Sequence, residues 1–89
     1  MNLSSGKNPK PKVEIYSKPD CHLCDEVKTV LQRVQCQHPF EIIEIDITSD
    51  ERLYQEYKEQ IPVIFINGRK AFKYRVEEKE FIKKLLRDF

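Results

Sequence analysis

Polar and apolar residues alternate through "KVEIYS", where Val13 and Ile15 point one way and Glu14 and Tyr16 the other. A period of two reads as a short strand. "KPD" ends it, because Pro19 offers no backbone donor and fixes its own φ. From Cys21 the period lengthens, and Leu23, Val27, Val30, Leu31 and Val34 make one apolar stripe on a predicted helix. Asp20 is placed as its N-cap, with Asp25 and Glu26 in the first turns where the helix dipole favours acids. Pro39 lies beyond the last apolar position and closes the segment.

Residues 40–47, "FEIIEIDI", are rich in β-branched side chains and predict a second strand. Thr48 with Glu51 forms a capping-box pattern that opens a short helix through Lys58, with Leu53, Tyr54 and Tyr57 on its buried side. Residues 61–66 are continuously apolar, as a central strand covered on both faces would be. Asn67-Gly68 is a strong hairpin-turn pair, so Arg69–Lys73 should return antiparallel as a charged edge strand. Phe81, Ile82, Leu85, Leu86 and Phe89 then mark an amphipathic helix from about Glu77.

The predicted order is β-α-β-α-β-β-α, an α/β domain with a four-stranded mixed sheet flanked by three helices. Its strand–helix–strand start implies a right-handed crossover and a parallel pair. The closing hairpin adds an antiparallel one. Eighty-nine residues make one small domain, read as residues 12–89 behind a flexible tail, residues 1–11.

Charge adds little to this picture. Sixteen basic residues face 15 acidic ones for a net +1, which gives no case for a nucleic-acid binder. The basic group Arg69, Lys70, Lys73 and Arg75 is adequately explained as the surface of an edge strand. No apolar run approaches the ~20 residues of a membrane span. The tail lacks the apolar stretch of a secretory signal, so a cytoplasmic location is the expectation; its lack of arginine weakens a mitochondrial transit role without removing it. In a reducing compartment, three cysteines do not suggest a structural disulfide framework, and a C-x-x-C pair is more often catalytic or metal-binding.

Cys21 and Cys24 fall where the first helix begins. Backbone N–H groups there lack intrahelical partners and the dipole is positive, so a thiolate is stabilised. Cys24, one turn on, lies within reach of a mixed disulfide formed at Cys21. His22 is either a second positive charge beside the pair or a solvated histidine. Pro62 opens a strand that should be central, either through a cis Ile61–Pro62 bond beside the cysteines or as a trans proline starting the strand. A zinc site from Cys21, Cys24, Cys36 and His38 is disfavoured, because an intact helix would hold Cys24 and Cys36 ~18 Å apart. Cys36 and His38 read as bystanders at a helix end. Tyr16, close to the cysteine loop, has no settled role.

"YSKPDCHLC", "IPVIFING" and the element order resemble the glutaredoxins, members of the thioredoxin fold, over residues 12–89. "CHLCDE" with "IPV" and "NGR" is most similar to the glutaredoxin-like family. The resemblance implies a thiol–disulfide oxidoreductase with Cys21 as nucleophile and Cys24 as resolving thiol, the two forming the redox disulfide. It also implies a cis-proline at Pro62, substrate backbone pairing at Ile61 and a glutathione contact at Lys18. The implied substrate is a disulfide-bearing protein or small thiol; no cofactor or metal is required, with glutathione as candidate reductant or co-substrate and a monomer as the default state.

Two departures qualify this. His22-Leu23 replaces the usual Pro-Tyr between the cysteines. "FKYRVEEKE" carries no glycine where glutaredoxins have a Gly-Gly-x-Asp turn for the γ-glutamyl end of glutathione. A thiol oxidoreductase is therefore better supported than a glutathione-dependent one. The alternatives are a non-enzymatic binding module on the same scaffold and a metal or iron–sulfur protein, the cluster shared between two chains through Cys21.

Overall fold

The computed structural model describes residues 10–87. Its elements are β1 (Lys12–Ser17), α1 (His22–Gln35), β2 (Glu41–Asp46), a 3-10 turn (Ile47–Ser49), α2 (Glu51–Tyr57), β3 (Val63–Ile66), β4 (Arg69–Lys73) and α3 (Glu78–Arg87). The sheet order is β2-β1-β3-β4. β1 pairs with β2 in parallel from Lys12↔Glu41 to Ser17↔Asp46, and with β3 antiparallel from Val13↔Ile66 to Tyr16↔Val63. β3 and β4 are antiparallel, with a register shift between Ile64 and Phe65.

Alternation in β1 divides the interior in two. Val13 and Ile15 are fully buried and join Leu31 and Val34 of α1, Ile64 and Ile66 of β3, and Phe81 and Leu85 of α3. Tyr16 points to the other face, where it packs with Tyr57 of α2 and Phe65 at ring-centroid distances of 4.8 and 5.2 Å. That second cluster also holds Cys24, Ile47 and Ile61. The first cluster secures the sheet, and the second underlies the cysteines.

Several boundaries differ from the sequence pattern. Asp20 does not cap α1; it sits at φ +61°, and the N-cap is Cys21, whose sulfur accepts from the Cys24 N–H at 3.2 Å. The sulfur thus fills the place a carboxylate would take. Thr48 does not open α2 either. Asp46 binds both the N–H and the hydroxyl of Thr48, which draws Thr48 into the 3-10 turn and holds the Asp46 carboxyl below its usual range. Asp50 then caps α2 through the N–H groups of Arg52 and Leu53. Phe40 and Ile47 are buried but flank β2 rather than belong to it.

The helix stripes are also narrower than the pattern implied. Leu23 and Leu86 remain 44% and 48% exposed. Leu53, Tyr54 and Tyr57 are half-buried. Pro11, expected in the tail, is buried and its carbonyl accepts from the Glu41 N–H. The remainder of the expected tail, residues 1–9, and Phe89 lie outside the described residues. No helix among the described residues is long and apolar enough to cross a membrane.

The hairpin follows its turn residues. Asn67 and Gly68 both have positive φ, +49° and +86°, as a tight turn that matches strand twist requires. A Cβ at Gly68 would meet nothing within 4 Å, so only its backbone conformation resists substitution. Gly68→Ala is expected to cost about 1–2 kcal/mol. Urea unfolding curves check this; an unchanged midpoint would mean the turn does not demand that conformation.

Candidate functional site

β1 ends at Ser17, and the connection through Lys18, Pro19 and Asp20 delivers Cys21 to the head of α1. Cys21 is half-buried, whereas Cys24, one turn into the helix, is completely inaccessible. The two are joined as a disulfide with a Cα–Cα distance of 5.2 Å, inside the usual range for such a bond. One sulfur is therefore open to attack while the other is shielded. The Cys24 N–H that points at the Cys21 sulfur, with the aligned peptides of α1 behind it, would stabilise negative charge on that sulfur once the disulfide opens.

The floor beneath the pair is aromatic and aliphatic. Ile47 and Ile61 pack with Cys24, and Tyr16, Leu53, Tyr54 and Tyr57 close the cluster. Burial, chiefly, raises the Tyr16 and Tyr57 hydroxyls above the ordinary tyrosine range, with nearby acidic residues adding to it. Tyr16, whose role the sequence left open, is thus a packing residue under the cysteines.

The remaining candidates fall as follows. The Ile61–Pro62 bond is cis, and both residues are buried at the entrance to β3. The Ile61 main-chain N–H and C=O have no hydrogen-bond partner among the described residues. Lys18 is exposed on the connection before Cys21. His22 is exposed, and its Nε2 lies 2.9 Å from Glu26 Oε2, one turn along the helix. That contact turns its ring along the helix surface. Cys36 is exposed at the C-terminal end of α1, so an unbroken helix separates it from Cys24. No group of three or more potential ligands is arranged for a metal among the described residues.

Two features were not legible in the sequence. Behind the cysteines, Glu44 Oε2 accepts from the buried Ser17 hydroxyl at 3.3 Å and from Lys28 Nζ at 2.5 Å, tying β1, β2 and α1 together. Nothing local in the chain pairs these three residues. Beside the cysteines, an open groove of about 280 Å³ is walled by Leu23, Val27, Val30, Tyr74 and Val76, with Glu26, Arg75 and Glu77 at its sides. Tyr74 lies in the connection between β4 and α3. It adopts the left-handed φ of +72° despite its side chain.

A parallel β-α-β start, a closing antiparallel hairpin and a C-x-x-C disulfide heading the first helix together define a protein of the thioredoxin fold. The chain belongs to the glutaredoxin-like domain family (DUF836), whose model matches residues 12–86. Among relatives, it is 26% identical over 72 residues to the "Glutaredoxin-like protein YDR286C homolog" of Dictyostelium discoideum, covering 74% of this chain and 67% of that one. The solution structure of Ne2328 from Nitrosomonas europaea matches with a TM-score of 0.75 and 26% identity, over 94% of this chain and 98% of the other. Fasciola hepatica thioredoxin matches with a TM-score of 0.60 over 92% of this chain and 85% of its own, and at 16% identity it speaks to the fold alone.

Proposed function

We propose that this protein is a dithiol–disulfide oxidoreductase acting through Cys21 and Cys24. In the reduced protein the Cys21 thiolate attacks a substrate disulfide. One substrate sulfur leaves as a thiolate and takes a proton from solvent, while the other is held to Cys21 as a mixed disulfide. Cys24 then gives up its proton and attacks Cys21, releasing the second substrate thiol. Two electrons pass to the substrate, and the protein is left with the Cys21–Cys24 bond. Two equivalents of an external thiol, with glutathione the candidate, return it to the dithiol: the first opens the Cys21–Cys24 bond as a mixed disulfide, and the second attacks that and leaves as the joined external disulfide. The exchange passes between sulfurs and needs no prosthetic group.

The observation that carries this reading is the asymmetry of the pair: an accessible Cys21 sulfur under a helix N–H, bonded to a wholly buried Cys24. The unused main-chain groups of Ile61 support pairing with an extended substrate segment. Lys18 offers a charge to a substrate carboxylate. Tyr74-Arg75-Val76, standing where the glycine turn would be, favours a polypeptide disulfide over glutathione as the substrate proper.

A redox titration in glutathione buffers, with mass spectrometry counting oxidised thiols, tests the proposal. The expected result is a reversible two-electron conversion of Cys21 and Cys24 at one potential, with Cys36 outside the pair. A pair that stays reduced across the whole titration would remove the oxidoreductase role. A glutathione adduct on Cys21 would make glutathione a direct substrate.

A further inference from the structure

A tyrosine at φ +72° is an uncommon and costly conformation for a bulky side chain. Two hydrogen bonds hold Tyr74 in it. Its N–H donates to the Pro62 carbonyl at 2.8 Å, and its hydroxyl donates to the Glu59 carbonyl at 2.9 Å. These acceptors lie on either side of Ile61 in the connection from α2 to β3. One residue of the β4–α3 connection therefore spans the segment that carries Ile61, and it does so from a conformation the chain would not choose locally.

Ile61 is the residue this arrangement steadies. Its side chain packs with Cys24, which keeps it beside the disulfide, and its N–H and C=O are unpaired among the described residues. Main-chain polar groups are seldom left without partners away from bulk water, so a fixed and unpaired pair beside a redox centre suits the backbone of an incoming strand. The value of such groups to binding depends on their being held in place beforehand, because any ordering left to the moment of binding subtracts from affinity.

We propose that Tyr74 is a positioning residue for polypeptide substrates. It anchors the 59–62 segment at both ends so that the Ile61 main chain meets an extended substrate segment next to Cys21. The inference rests on the exchange reaction proposed above and deepens it: it selects disulfides flanked by peptide backbone. A small disulfide with no backbone draws nothing from Ile61 and gains nothing from Tyr74.

The test compares the full chain with its Tyr74→Phe variant, which keeps the ring in the groove and loses only the bond to Glu59. Pre-reduced protein is mixed with either insulin, a polypeptide disulfide, or 2-hydroxyethyl disulfide, and kcat and KM are resolved for each. Loss of one hydrogen bond should lower the ratio of the two kcat/KM values roughly fivefold against insulin, carried by KM. Hydrogen–deuterium exchange of the 59–64 segment should rise in the variant. An unchanged ratio, a parallel fall on both substrates, or unchanged exchange in that segment overturns the role given to Tyr74. If the unmodified protein reduces neither disulfide, the exchange reaction itself is at fault, an outcome distinct from active protein that is indifferent to Tyr74.

Discussion

Cys21→Ser should reduce disulfide exchange to the uncatalysed background, whereas Cys24→Ser should complete the first half of the reaction and stop. The two outcomes follow from where the sulfurs sit. Cys21 is reachable and has a helix N–H aimed at it, so of the pair it is the one that can meet a substrate disulfide. A serine hydroxyl in its place is not ionised near neutral pH and forms no stable bond to sulfur, so nothing remains to begin the exchange. Cys24 is fully buried, and its sulfur is bonded to that of Cys21. Its removal leaves the first attack intact and the mixed disulfide unresolved.

Mass spectrometry after incubation with oxidised substrate reads both predictions. Cys24→Ser should accumulate a covalent adduct at Cys21, released by added dithiothreitol, while Cys21→Ser should carry none at Cys24. Release of the second substrate thiol in a single pass of pre-reduced protein, with no external thiol added, should be lost in both. Equal and undiminished turnover in the two variants, or adducts that form on Cys24, would reverse the assignment of roles.

The largest effect on stability is expected at Phe81→Ala. Phe81 is completely buried between α1, the sheet and the start of β2, with its ring 5.5 Å from that of Phe40 and 6.3 Å from that of Phe72. Truncation removes the transfer energy of the ring and leaves a cavity that the sheet and α1 cannot easily fill, a combination that costs about 3–5 kcal/mol. That is a large share of the ~5–15 kcal/mol by which a domain is stable. At roughly 4–8 °C per kcal/mol for a chain of this size, the melting temperature should drop by at least ~12 °C.

The position of the redox pair shapes the second half of this prediction. Cys24 belongs to a separate cluster, with Ile47 and Ile61, and not to the cluster of Phe81. Well below its melting temperature, the variant should therefore keep the Cys21–Cys24 potential of the parent. Calorimetry and a redox titration measure the two quantities separately. A melting temperature within ~2 °C of the parent would mean that α3 does not pack where Phe81 places it.

Much of the architecture was legible because it depends on neighbours in the chain. The alternation of Val13, Glu14, Ile15 and Tyr16 reappears as β1, with its two aliphatic residues fully buried. The stripe of Val27, Leu31 and Val34 reappears as the inner face of α1, and Asn67-Gly68 as the hairpin turn. Where two local signals competed, the pattern misled. Asp46, Thr48 and Asp50 all carry capping groups, and the end of β2 at Asp46 decided that Thr48 joins the 3-10 turn and Asp50 caps the helix. Asp20 lost the cap of α1 to the Cys21 sulfur in the same way.

By itself, then, the chain determined the succession of strands and helices, the hairpin and the arrival of a C-x-x-C pair at a helix start, all set by spacings of a few residues. Only the tertiary structure decided which sulfur is exposed, because the burial of Cys24 is made by Ile47 and Ile61, far from it in sequence. Only there do Ser17, Lys28 and Glu44 meet, and only there is Tyr74 held at a φ its own side chain disfavours. Short-range order follows from backbone sterics and periodicity, whereas these contacts exist only once β1, α1, β3 and the β4–α3 connection have packed and the cost of closing the loops between them has been met.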